Sequence, residues 1–139
     1  MRKTLIGLLF VTWALLGAGC TTAVKQEPWT AKIVTARAVV SADDVRGITN
    51  TFTREGRIYV HAAFTGPASS SAAPHPMQIK WFNGNALVFE RAAEHAFSKS
   101  PFYVWAGTSG TALGVGNCRV ELYADGQLVG MTTFTVTKK

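Results

Sequence analysis

The sequence predicts an all-β chain: an antiparallel two-sheet sandwich of about seven short strands, behind a leader and a short tether. Three observations predict it. Through most of the body the side chains alternate with a period of two, as where Ile58, Val60, Ala62 and Phe64 interleave with Tyr59, His61, Ala63 and Thr65; this is the pattern of strands with one buried face. Asn83-Gly84 and Asp125-Gly126 each stand between alternating apolar runs, and such pairs are strong hairpin signals. Almost no segment carries the three-to-four spacing of an amphipathic helix.

Composition narrows the class further. The chain has 139 residues, 47% of them hydrophobic and 16% charged, which excludes a disordered or fibrous chain. Without a 19-residue leader 120 residues remain, enough to bury a core with no help from metals or several disulfides. The formal charge of +6 includes Arg2 and Lys3; the rest of the chain holds 12 basic against 8 acidic residues, a scattered +4. Nucleic-acid binding, which needs Lys and Arg gathered on one stripe, is not expected.

In chain order, Arg2 and Lys3 form a positive start, Leu5 to Leu16 an apolar run, and Gly17-Ala18-Gly19 a small-residue end before Cys20. Residues 1–19 therefore read as a signal peptide. The uncharged stretch from Thr4 to Gly19 falls short of the roughly 20 residues that a membrane-spanning helix needs. Residues 20–28 form a tether, and residues 29–139 the sandwich, which opens at Trp29.

Ile33 to Val40 is the first expected strand. Asp43-Asp44 and Arg46-Gly47 mark a solvated turn, Thr49 to Phe52 a short strand ending before Glu55-Gly56, and Ile58 to Thr65 a longer one. Ser69 to Pro76 reads as a loop, with His75 exposed in it. Met77 to Phe89 is a hairpin around Asn83-Gly84, whose positive φ values suit a type I′ turn. Phe89 to Phe97 is a possible helical turn, since Glu90, Arg91, Ala92, Ala93 and Glu94 are good helix formers. Pro101 to Ala106 is another strand, Gly107 to Gly116 a flexible loop, and Cys118 to Ala124 with Gln127 to Thr137 the closing hairpin.

The chemistry-bearing residues do not assemble into a catalytic pattern. His61, His75 and His95 fall in separate elements, and no His or Cys pair has metal-ligand spacing; no cofactor is expected. Glycines 107, 110, 114 and 116 precede a strand, so they place no phosphate on a helix N-terminus. Glu90 and Glu94 would share a face only on a helix, where Arg91 or Lys99 could pair with one of them. An enzyme is therefore not expected. In Phe102-Tyr103-Val104-Trp105, alternation puts Phe102 and Val104 on one face and Tyr103 and Trp105 on the other. Tyr59, Tyr103 and Trp105 are the candidate binding surface, because Tyr and Trp offer apolar area with a polar tip; the alternative is that Trp105 covers the loop after its own strand.

Three resemblances add to this reading. Leu16-Gly17-Ala18-Gly19-Cys20 resembles the lipobox of bacterial lipoproteins, with Gly17 where that family prefers Leu. The likeness implies that Cys20 is acylated and that the chain is held on a membrane by its N-terminal lipid. Thr21, where an Asp would resemble an inner-membrane retention signal, implies the outer membrane, with the domain facing the periplasm. Cys118 would then be the remaining thiol, expected as a small buried residue in a strand. Ile79-Lys80-Trp81 resembles the third strand of immunoglobulin-like domains, where a Trp fills the space between sheets; the cysteine pair of antibody domains is absent. Gly116 to Gly130, with Arg119-Val120-Glu121 and Tyr123 ahead of Asp125-Gly126, is similar to the closing hairpin of uncharacterised bacterial envelope domains, with Cys118 at their aromatic position. Together these imply a non-catalytic interaction or accessory module of the envelope with a protein partner. The alternatives are a small-ligand or glycan-binding module, and an inhibitor or immunity-type lipoprotein that projects Gly107 to Gly116 or Ser69 to Pro76.

Overall fold

A computed structural model describes residues 28–67, 73–97 and 100–139. The leader 1–19, Cys20 and the tether to Glu27 lie outside the described residues, as do residues 68–72, within the expected Ser69–Pro76 loop, and residues 98–99.

Among the described residues nine strands form, rather than about seven: β1 (Thr30–Val39), β2 (Val45–Ile48), β3 (Thr51–Thr53), β4 (Arg57–Thr65), β5 (Pro74–Asn83), β6 (Ala86–Ala96), β7 (Phe102–Ser109), β8 (Gly116–Ala124) and β9 (Gln127–Thr137), with one helical turn, α1 (Gly110–Leu113). They make two sheets, one ordered β2-β1-β4-β7 and the other β3-β9-β8-β5-β6. All pairings are antiparallel except β3 with β9, which is parallel.

The predicted alternation becomes the core. Ile58, Val60, Ala62 and Phe64 of β4 face Met77, Ile79 and Trp81 of β5 and Val120 and Leu122 of β8 in one cluster. Trp81 is 0% exposed. Its ring stacks on Phe89 at 5.5 Å and meets Phe134 edge-on at 6.3 Å, and Phe134 meets Phe52 at 5.7 Å. Cys118 is buried in β8 as expected, and burial pushes its thiol pKa up.

Several local expectations give way to pairing. Phe89 to Phe97 is not helical: it lies in β6, laddered along β5 from Asn83↔Ala86 to Pro74↔Ala96, and burying Phe89 against Trp81 outweighs the helix propensity of four or five small and charged residues. Arg46 and Gly47 belong to β2 rather than to a turn, and only Val40 to Asp44 connect β1 to it. His75 is in β5, not in an exposed loop: its Nδ1 lies 2.9 Å from Asp125 Oδ2, and its ring meets Trp29 edge-on at 5.1 Å.

The two hairpin turns differ. Asp125 and Gly126 both take positive φ, 51° and 75°, as a type I′ turn requires. At the other hairpin Asn83 is the last paired residue of β5, so Gly84 and Asn85 are the turn centres, and only Gly84 has positive φ, 56°. Asn83 is held in the strand because its Nδ2 donates to the carbonyls of Leu113 (2.9 Å) and Val115 (3.3 Å).

Gly107 to Gly116 is likewise not a free loop. Strand β7 runs to Ser109, whose Oγ accepts from the Ala112 N–H and starts α1. The Gly110 N–H donates to Gly56, the Thr111 hydroxyl to the Arg54 carbonyl, and Leu113 is buried.

Trp81→Ala removes the ring that both sheets close on, and we expect a loss of about 3–5 kcal/mol in stability. Urea unfolding of the two proteins measures it; an unchanged midpoint would place Trp81 outside the core.

Candidate functional site

Strand β4 buries one face, and its other face looks outward beside β1 and β7. Register sets Tyr59 opposite Gly107, His61 opposite Trp105 and Ala63 opposite Tyr103. The three candidate residues Tyr59, Tyr103 and Trp105 thus share the outward face of the four-stranded sheet, and Phe102 and Val104 pack inward against the core. Trp105 is 46% exposed. Rather than covering the loop after its strand, it stacks on His61, with ring centroids 6.4 Å apart and planes at 15°; Tyr103 lies 5.5 Å from the same imidazole.

His61 is the residue that reading by sequence spacing left out. It sits on an outward position yet is 7% exposed. The β1–β2 connection folds onto it, and its Nε2–H donates to the Ala42 carbonyl at 2.6 Å. One signal was present: a polar ring in register between two aromatic positions. Tyr59 owes its place to Gly107, because a Cβ there would come within 2.7 Å of the Tyr59 ring. The tyrosine lies flat across the bare backbone of β7.

Round the edge of β7 the aromatic face passes into a cleft of about 630 Å³ between the sheets. Its floor is Met77 and Ile79 of β5. Phe102 and Val104 form one wall, and Arg91, Ala93 and His95 of β6 the other. Among the described residues no acidic side chain lines it, and Arg91 has no ion-pair partner.

The outward face of the five-stranded sheet is organised differently. Arg119, Glu121 and Tyr123 follow one another on one face of β8. Arg119 Nε donates to Glu121 Oε1 and the Tyr123 hydroxyl to Glu121 Oε2, both at 2.7 Å. Arg119 also donates to the Gly84 carbonyl and lies 3.8 Å over the Phe82 ring, and the Lys80 ammonium sits 4.7 Å over Tyr123. Hydrogen bonds from Arg119 and Tyr123 hold the Glu121 carboxyl below the usual range, and the bond to Glu121 raises the Tyr123 phenol. The Arg-Val-Glu-x-Tyr run is thus a closed surface network.

Among the described residues no three His, Cys, Asp or Glu side chains gather to hold a metal, and no helix is long and apolar enough to cross a membrane.

Neither a family model nor a curated protein sequence matches the chain. Solved structures do. An immunoglobulin-like protein from Pseudomonas aeruginosa is similar over 81% of this chain and 98% of its own, with 10% identity and a TM-score of 0.51. The fold is immunoglobulin-like. A β-glucosidase from Listeria innocua is similar over 78% of this chain, with 11% identity and a TM-score of 0.50, but this chain spans only 16% of that enzyme. At such identities the likeness shows the fold alone.

Two predictions follow from the faces. Glu121 has a depressed folded-state pKa, so its contribution is present above the ordinary Glu range and is lost as pH falls through the folded value. Glu121→Gln should cost about 1 kcal/mol at neutral pH, and the difference from wild type should shrink as pH falls to about 3; urea melts at both pH values check this. Gly107→Ala should swing the Tyr59 ring outward, shifting its ring-proton resonances. Because that ring is at the surface, stability should change by about 0.5 kcal/mol or less.

Proposed function

We propose that this chain is a lipid-anchored envelope protein whose immunoglobulin-like domain works by contact rather than by catalysis, as an interaction or accessory module facing the periplasm of an outer membrane. The observation that carries the contact role is the outward aromatic face, with Trp105 exposed and Tyr59 and Tyr103 half-buried, backed by His61 and continuing through Tyr103 and Trp105 into the apolar cleft. Exposed aromatics beside an apolar recess are what protein interfaces use as anchors. The histidines support a structural rather than a chemical use, since His61 is tied to the Ala42 carbonyl and His75 to Asp125.

Anchoring rests on the leader and on Cys20. Several acyl chains, each adding about 0.8 kcal/mol per buried CH₂, would hold the domain on a membrane durably. A second reading, a glycan or small-ligand module, is favoured by the side-by-side Tyr103 and Trp105, since sugar rings stack on such pairs.

Cells fed an alkyne fatty acid should label the wild-type chain and not Cys20→Ser. A photo-crosslinking residue at position 105 should yield a defined protein adduct in the membrane fraction. Absence of label would remove the lipoprotein reading, and glycan binding without a protein adduct would favour the second reading.

A further inference from the structure

The two sheets are unequal in width, and the difference falls at the cleft. Strand β1 contacts β9 across the sandwich, and Phe102 and Val104 of β7 face Met77 and Ile79 of β5. With the orders β2-β1-β4-β7 and β3-β9-β8-β5-β6, β4 lies opposite β8, and among the described residues no strand lies opposite β6, which meets β7 where His95 packs on Phe102 at 5.5 Å. Register carries the consequence. Arg91 pairs with Ile79 and Ala93 with Met77, so both point to the inward side, where their partners are buried, yet both are exposed themselves. Among the described residues, one strand position is vacant beside β7.

The geometry points to an extended segment of a partner protein as its occupant, adding to the free edge of β7 as the fifth strand of the smaller sheet, with alternate apolar side chains filling the cleft and an acidic one meeting Arg91. This rests on reading the face as a protein-contact surface and gives the mode of contact. Spacing fits: a strand about 4.8 Å beyond β7 would lie about 10 Å above β6, the ordinary separation of packed sheets. Its inward side chains would fall on Met77, Ala93 and Arg91, and its outward ones beside Tyr103 and Trp105.

Two features select a strand over another apolar occupant. An edge strand offers a row of unpaired N–H and C=O groups. A lipid chain in the cleft would bury those groups unpaired, at about 1–3 kcal/mol each, whereas an added strand pairs them. The edges also differ in protection. Strand β6 carries Glu90, Arg91 and Glu94, charges of the kind that blunt edge pairing; β7, Phe-Tyr-Val-Trp-Ala-Gly-Thr-Ser, carries none. Arg91 on the far wall, with no ion-pair partner and no lining acid among the described residues, sets the charge of the incoming segment.

The test uses the full chain in lipid nanodiscs and an eight-residue peptide, the length of β7, alternating valine and threonine with one valine replaced by glutamate. We expect the peptide to bind, to change Trp105 fluorescence, and to slow amide exchange along β7. N-methylation along one edge of the peptide should abolish binding, and along the other edge leave it. Arg91→Glu should weaken binding about tenfold, and a lysine-bearing peptide should restore it. Three results would overturn the inference: no binding, equal binding of both N-methylated forms, or self-association of the chain that protects β7 without peptide. A protein adduct at position 105 in cells, with no peptide binding, would remove strand addition and leave the contact role standing.

Discussion

Two facing sheets must cover each other's apolar sides, and nine strands divided four and five cannot do so completely. The covered part is well closed: Trp81, Val120, Leu122 and Phe64 are almost wholly excluded from water, and burial of such apolar area, at about 25 cal/mol per Å², drives folding. On β6, Phe89 stacks on Trp81, its neighbour in the same sheet, and His95 meets Phe102 of the facing sheet with ring centroids 5.5 Å apart. Between these two, Arg91 and Ala93 border open space, and the buried Met77 and Ile79 at the edge of the core form its floor. The cleft beside the free β7 edge follows from that mismatch of width.

Polar side chains at the ends of the sandwich keep the register that the faces depend on. Slipping a strand by one residue would turn its whole apolar set to water. At one end Asp125, in the tight turn between β8 and β9, accepts from Trp29 Nε1 at 3.1 Å and meets His75, so the start of β1, the start of β5 and the last hairpin are tied together, with Phe97 packed on both rings. At the other end Asn83 joins the β5–β6 turn to the segment after α1. Each tie crosses between elements far apart in sequence.

Those long-range ties explain what could be read from the chain and what could not. Period-two alternation made the β4 and β5 faces legible, down to Trp81, because a half-buried strand writes its environment into every second residue. Asp125-Gly126 was legible because two positive φ values demand such residues. The Phe89–Phe97 segment was misread because its local composition favours helix, and its strand state is decided by β5, a partner that no local window contains. Gly107 to Gly116 looked loose for its glycines, yet its hydrogen bonds go to Gly56 and Arg54, some fifty residues away. Of the candidate surface, the positions of Tyr59, Tyr103 and Trp105 on one face followed from alternation within two strands. Their juxtaposition, with His61 between them, needed the β4–β7 pairing. The cleft was beyond reach, since it depends on strand order.

The two outward faces then divide the work of the surface. On the five-stranded sheet the charges answer one another: Arg119 with Glu121, Tyr123 with Glu121, Lys80 over Tyr123 and, by register, opposite both Glu121 and Glu90. A partner docking there would have to break charge-assisted bonds already made, at about 1.5–3 kcal/mol for each such group left unpaired. On the four-stranded sheet the reverse holds. His61 donates to the Ala42 carbonyl and meets the rings of Trp105 and Tyr103, Trp105 keeps 46% of its surface exposed, and Arg91 stands across the cleft without a counter-ion among the described residues. Binding energy is available where apolar area is exposed and polar groups lack partners, and both conditions meet at the β7 edge.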